Sequence, residues 1–306
     1  MWVKPIGLIR ERRSKWPFDP PDLPGVPDPK YHRRVPDFDP DISAYYAAYA
    51  EESRLATGAF QLEFERTAEI FTRVLPPAPA RVVDVGGAAG AYSFWLAERG
   101  YDVHLVDASP RLVGEATRRN LTARARLASA VVGDARALPD DAGSAAAVLV
   151  MGPLYHLVDA ADRALALREA YRVLAAGGVV AVAAISRYAS TLDGLARKLT
   201  LDPRFVAIRN RDLAEGQHRN ATERGDYFTT AYFHRPEDLR PELEAAGFSG
   251  VSVLAVEGPC WILSDFDARW ADPAQRADLL DVARRLETEP SIIGASAHLL
   301  GIGRKK

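Results

Sequence analysis

The 306-residue chain has one cysteine, Cys260, and two methionines. A lone thiol excludes an internal disulfide and any metal centre built on several cysteines. The histidines lack zinc-site spacing, so no metal is expected. No stretch approaches the roughly 18 consecutive apolar residues of a membrane span. The first residues, Met1-Trp2-Val3-Lys4-Pro5, lack the apolar core of a signal peptide. A cytoplasmic protein that does not enter the membrane is the expectation. Charge of one sign is missing too: 39 basic against 41 acidic residues leave a net charge of −2, so no overall field draws the molecule to nucleic acid or anionic lipid. Two phosphate-binding signatures are absent. Without Gly-x-Gly-x-x-Gly there is no pyrophosphate seat for NAD or FAD, and without Gly-x-x-x-x-Gly-Lys-Ser/Thr there is none for a nucleoside triphosphate.

What is present changes along the chain. Residues 1–40 hold nine of the 21 prolines, which fix φ and remove donors, so an extended Pro-rich extension is expected there. The rest, 41–306, reads as one domain. Helical spacing runs through 42–75 and is stopped by Pro76, Pro77 and Pro79. Strands are then expected at 81–85, 102–107, 127–132, 145–151 and 178–185, with helices between them at 91–99, from Pro110, and at 160–175. The fully apolar strands point to a parallel sheet covered on both faces. The alternation breaks over 186–235, which reads as a polar and aromatic irregular insertion. A helix (236–246), a strand (251–256), a helix (273–288) and a last strand near 296–303 complete the pattern.

The chemistry concentrates at the end of the first strand. Arg81-Val-Val-Asp84-Val-Gly86-Gly87-Ala88-Ala-Gly90 runs from an apolar strand into a glycine-rich turn, and the second strand ends on Asp107. Glycines let the backbone approach a ligand closely, and a carboxylate at the next strand end can accept both hydroxyls of a ribose. With no phosphate fingerprint, this combination suits a cofactor that carries adenosine without phosphate. Asp84-x-Gly86-x-Ala88-x-Gly90 resembles motif I of the class I S-adenosylmethionine-dependent methyltransferases. Asp107, Gly133-Asp134-Ala135, Gly152-Pro153-Leu154-Tyr155-His156-Leu157 and Ala176-Gly177-Gly178 match that family's later elements in order over residues 80–185. Ala88 replaces the family's middle glycine; alanine is accommodated there if φ is negative, with Gly87 as the flexible neighbour.

The resemblance implies a Rossmann-like, doubly wound α/β fold. Its mostly parallel seven-stranded sheet has an antiparallel last strand, and the N-terminal helices (42–75) and the 186–235 insertion form a cap. It implies S-adenosylmethionine as cofactor. Asp84 would orient the glycine loop and the ligand's ammonium group, Asp107 and Ala108 would face the ribose, and Asp134 and Ala135 the adenine. Gly86, Gly87, Gly90 and Gly152 would shape the cradle. From the leading helices, Arg54 would meet the methionine carboxylate and Tyr46 would belong to a lid. Tyr155 and His156 would line the reaction site. His218 and His234, in the insertion, join His156 as candidate bases because imidazole titrates near neutral pH. His298 reads as structural, in the last strand. Methyl transfer to a small-molecule acceptor follows. A peptide or protein acceptor, a cyclase or lyase using the same cofactor, and a non-catalytic cofactor sensor stay open. Nucleic acid is disfavoured, since Gly-Pro-Leu-Tyr stands where amine-directed nucleic-acid methyltransferases carry Asn/Asp-Pro-Pro-Tyr and no basic aromatic stripe is seen.

Overall fold

The computed structural model describes residues 39–48, 54–222 and 224–306. The proline-rich stretch as far as residue 38, and residues 49–53 within the leading helical segment, lie outside the described residues. Strands β1 (Arg81–Val85), β2 (Asp102–Asp107), β3 (Ser129–Val132) and β4 (Ala145–Val150) pair in parallel, as do β4 and β5 (Leu174–Ser186). Beyond β5 come β9 (His298–Arg304) and β8 (Ser249–Ala255), with β9 antiparallel to both neighbours. The spatial order is therefore β3-β2-β1-β4-β5-β9-β8. Because β2 lies on one side of β1 and β4 on the other, connections leave β1 and β4 in opposite directions. That opens a crevice at their carboxyl ends.

The sheet is apolar on both faces, and alternate residues feed separate cores. Val83, Val148, Val180 and Val182 pack with Leu167 and Val173 of α6 (Ala160–Val173) and with Leu239 and Leu243 of α9 (Pro236–Ala245). Their neighbours Val82, Leu149, Val179 and Ala181 pack with Ile70 and Phe71 of α2 (Phe60–Val74), Phe94 of α3 (Ala91–Ala97) and Ala116 of α4 (Pro110–Thr122). Ser109 caps α4, its hydroxyl accepting from the Leu112 amide, with Pro110 in the first turn.

Two expectations need correction. The 186–235 segment is not irregular: it contains α7 (Ala189–Ala196), α8 (Pro203–Glu215) and two short strands, β6 (Gln217–His218) and β7 (Ala231–His234). β7 joins the main sheet at Ile185 and Ser186, past Val182 where β4 makes its last pairing. The expected helix end at Gly177-Gly178 also moves. α6 stops at Val173, and the double glycine lies within β5, where the β4 pairing shifts register.

One helix is fastened by charge. Arg66 of α2 is fully buried. It donates to the Val256 carbonyl at 3.3 Å and to Glu287 at 2.5 Å, and it also pairs with Glu69. Arg73 grips the same Glu287 with two bonds of 2.7 Å. Glu287 follows α11 (Pro273–Leu286), so this network joins the first long helix to the last.

Candidate active site

A cavity of about 270 Å³ lies at the ends of β1, β2, β3 and β4, bordered by Val85, Val106, Gly133 and Met151. Its floor is the glycine-rich turn. Gly86 has φ of +76°, and a Cβ there would lie 2.4 Å from Pro153 Cδ, so only glycine fits. Gly90, at φ +86°, starts α3, and Gly87 is wedged between Asp84 and Leu105. Ala88 also has positive φ, +48°, which overturns the expectation of negative φ. The reason is visible in its amide, which donates to Asp107 Oδ2 at 2.8 Å. The Ser109 amide holds Oδ1 at the same distance. Asp107 is thus fixed at the cavity wall with each oxygen anchored by backbone, and each oxygen retains acceptor capacity for a diol.

Asp134 and Ala135 border the same cavity. Arg136 grips Asp134 through its backbone amide and guanidinium and reaches on to Asp162 at 2.8 Å. The two carboxylates raise the Arg136 pKa, Asp134 contributing most through its hydrogen bonds, so this cation is permanent. Gly152 and Ala108 are also on the wall. Asp84 is not. It is turned beneath the loop, where Ser93 Oγ donates to it at 2.6 Å, and burial raises its pKa to about 6. Its bond to Ser93 braces the turn that it is expected to orient.

Over the cavity, α1 (Pro40–Ala48) brings Tyr46, whose hydroxyl lies 2.8 Å from His156 Nε2. His156 Nδ1 lies 3.2 Å from the Thr230 carbonyl. A carbonyl only accepts, so Nδ1 carries the proton and Nε2 accepts from Tyr46. Burial lowers the His156 pKa to about 4, and the ring is neutral at physiological pH. Tyr155 packs edge-on against His156, their ring centroids 4.8 Å apart.

The other two candidate bases are corrected. His218 is buried, with Nδ1 on Asp212 at 2.9 Å and Nε2 on the Tyr227 carbonyl at 2.8 Å, and its ring is stacked on Phe233. His234 is fully buried and binds Glu242 at 3.0 Å. Both hold the insertion together, and neither borders a described cavity.

A second cavity, about 60 Å³, continues past Met151 to Ala183 of β5, Val256 beyond β8, and His298 at the start of β9. Arg54, Gly86, Ala88, Met151 and Tyr155 border both spaces. Arg54 is held by Glu63 at 2.6 and 3.3 Å. His298 Nδ1 binds Glu257 at 2.5 Å and lies 3.7 Å from Glu63. Burial alone would lower the His298 pKa, but Glu63 and Glu257 raise it to about 9. His298, expected to be only structural, is therefore a cation on a cavity wall. Glu63, Glu257 and His298 place ligand atoms within 4.8 Å of one another, a metal-like spacing, but these atoms already pair with one another and with Arg54. Sequence reasoning missed Glu63 and Tyr92. Only the apolar spacing of helix 60–74 pointed at their neighbourhood, and nothing local connects either to residue 298.

The comparisons with known proteins agree with this geometry. A methyltransferase-domain family model matches residues 82–178, from β1 through Gly178. The chain thus carries a methyltransferase domain over those residues. Its cofactor is S-adenosylmethionine. A glycine/sarcosine N-methyltransferase of Parasynechococcus marenigrum is 36% identical over 119 residues, 38% of this chain and 42% of that protein. The match to the curated relatives spans about two fifths of their length. Among solved structures, a possible histamine N-methyltransferase of Thermotoga maritima is similar over 87% of this chain and 98% of that one, with a TM-score of 0.51 and 20% identity. A phosphoethanolamine N-methyltransferase of Haemonchus contortus, solved with S-adenosylmethionine, is similar over 79% of this chain and 52% of that one, with a TM-score of 0.50 and 18% identity. These two likenesses concern the fold.

The main cavity fits the cofactor. A glycine cradle closed by Pro153 and an anchored carboxylate at the β2 end suit an adenosine. The wall carries four carboxylates, Asp39, Asp107, Asp134 and Asp162, against two cations, Arg54 and Arg136. That excess of negative charge favours a sulfonium.

Proposed function

We propose that the protein transfers a methyl group from S-adenosylmethionine to a small-molecule acceptor by in-line displacement. We infer further that the accepting atom is an amine nitrogen. The observation that carries the reading is the pair of adjoining cavities that share Arg54, Gly86, Ala88, Met151 and Tyr155 as lining residues. Two ligands held in adjoining spaces can be brought into contact and alignment, which contributes much of the rate enhancement of such a transfer.

When bound, the cofactor supplies a methyl group already activated by positive sulfur. The chain's own tasks are to hold, align and exclude water. Asp107, Ala108, Asp134 and Ala135 would hold the adenosine, with the 86–90 turn beneath it. Tyr46 and His156 would close the space from the cap. Neither histidine on a cavity wall suits proton removal at neutral pH: His156 has a pKa of about 4 and its Nε2 accepts from Tyr46, while His298 is held protonated by Glu63 and Glu257. An acceptor that attacks as a neutral amine needs no base, whereas a hydroxyl or carbon acid does. The N-methyltransferase name of the Parasynechococcus marenigrum relative supports the same reading.

Purified protein incubated with methyl-labelled S-adenosylmethionine and a panel of small amines, alcohols and carbon acids tests it. S-adenosylhomocysteine should form in step with label on nitrogen. Label on oxygen or carbon would remove the amine assignment. Acceptor consumption without S-adenosylhomocysteine would point to a cyclase or lyase instead.

A further inference from the structure

The small cavity contains polar groups that the fold leaves incompletely matched. Tyr92, in the first turn of α3, is 7% exposed and borders this cavity. Its buried hydroxyl has no hydrogen-bond partner of normal geometry, although the Thr67 side chain lies beside it. Thr67 also borders the cavity. His298 uses Nδ1 on Glu257, and its Nε2 makes no hydrogen bond among the described residues. Apart from Arg54 and Glu63, which hold each other, and Tyr155, which borders both cavities, the remaining side chains on the wall are apolar, among them Leu55, Ala183, Val256 and Leu300. Nothing in the cation–anion network requires these hydroxyls: Glu257 is held by Ser296 Oγ and the His298 amide, and Glu63 by Arg54.

A buried phenol without a partner is costly and uncommon in a native interior. Here it shares an apolar pit with a second hydroxyl and an imidazolium Nε2–H. The imidazolium can only donate, and both hydroxyls can. Donors converging from three elements (α2, α3 and β9) call for an acceptor-only group. The volume, about 60 Å³, is that of roughly two waters, enough for a pair of carboxylate oxygens.

We propose that Tyr92, Thr67 and His298 form a carboxylate subsite that takes the acid group of the methyl acceptor. The inference rests on the transfer reading above and makes the acceptor a small amine bearing a carboxylate. The placement favours the acceptor over the cofactor's own amino-acid end. The large cavity follows the ends of β1 to β4, whereas this one shares the 86–91 turn and Met151 and extends from them to β5, β9 and Val256 after β8. Tyr92 is a specificity residue here, and the Glu63–His298–Glu257 network positions the imidazolium.

The test uses the full chain saturated with S-adenosylhomocysteine. Calorimetry measures binding of two- to four-carbon amino carboxylates, each against its primary amide. At least one carboxylate should bind ten-fold or more tightly than its amide. Tyr92→Phe should weaken that carboxylate by about three- to ten-fold and leave S-adenosylhomocysteine affinity unchanged. The substitution removes only an unmatched hydroxyl, so the variant folds; Thr67→Val gives a second reading if it does not. Amides binding as well as acids would overturn the proposal and leave methyl transfer intact. Loss of S-adenosylhomocysteine affinity in Tyr92→Phe, with carboxylate affinity kept, would overturn it by assigning the subsite to the cofactor's acid group. Failure of S-adenosylhomocysteine to bind the unaltered protein would overturn both readings.

Discussion

The two cavities lie side by side on one sheet edge but are built in different ways. The larger is made chiefly of backbone: glycines at positive φ, amides anchoring Asp107, and strand ends that follow one another within 75 residues. The smaller shares part of that turn, residues 86–89 and 91, and adds to it side chains brought from residues 54–67, 92, 151, 155, 183, 256 and 298–300. The first is constrained mainly by backbone geometry; the second depends more on which side chains meet. Glycine turns tolerate little variation because their geometry is strained for any other residue. A side-chain pit can change its chemistry by single substitutions.

Breaking the ionic tie that supports the smaller cavity should have the largest effect. Arg66→Leu removes a fully buried guanidinium that joins Glu287, Glu69 and the Val256 carbonyl. Severing a buried pair costs about 3–5 kcal/mol. Glu287 keeps both bonds to Arg73, so the lower end, about 3 kcal/mol, is expected in urea unfolding. A loss below about 1 kcal/mol would show that α2 is held by its apolar face alone.

On the larger cavity, Asp107→Ala should weaken S-adenosylhomocysteine binding by about 100-fold. Two hydrogen bonds to a carboxylate, at roughly 1.5 kcal/mol each, account for that factor. Asp107→Asn keeps the shape and one acceptor oxygen, and should fall between the variant and the wild type. Calorimetry on both decides. If Asn and Ala lose affinity equally, the carboxylate is needed chiefly to set the loop through Ala88 and Ser109.

A pH series separates the two regions. His298 has a folded pKa of about 9, above its ordinary 6.5. Its stabilising contribution is complete below about pH 6.5 and is lost as pH rises through 9. The Tm difference between wild type and His298→Gln should therefore shrink from pH 6 to pH 10. A constant difference would mean that His298 is not charged in the fold. His156 behaves oppositely. Its depressed pKa means the fold favours the neutral ring, so that contribution is lost as pH falls from 6.5 toward 4.

The legibility of each region follows from its construction. Strands 81–85 and 102–107, the glycine turn, Asp107 and Asp134 are local patterns, so periodicity and spacing expose them. Asp84 is legible as part of the motif and as a support of the loop, but its partner Ser93 is not, because which group a strand-end carboxylate meets depends on packing. His218 and His234 looked chemical because histidine is rare and titratable, yet both close hydrogen bonds inside a folded insertion that reads as irregular. Glu63, Tyr92 and His298 meet across more than two hundred residues, and no window of sequence contains that meeting.

The smallest expected effect lies inside the motif itself. Ala88 occupies the left-handed region at φ +48°, where a Cβ costs about 1–2 kcal/mol. Replacing it with glycine removes that strain but adds roughly 0.5–1 kcal/mol of chain entropy to the unfolded state. Ala88→Gly should therefore stabilise the protein by about 0.5 kcal/mol, a change in Tm on the order of one degree. Gly86→Ala, two residues away, meets both positive φ and Pro153 at 2.4 Å. Overpacking of that kind costs about 1–3 kcal/mol. The two substitutions exchange the same pair of residues in opposite directions, so thermal unfolding of both measures what the turn needs at each position. If Ala88→Gly destabilises, the packing of the alanine methyl and the entropy of the unfolded chain outweigh the relief of strain, and the departure from the family pattern is not set by backbone strain alone.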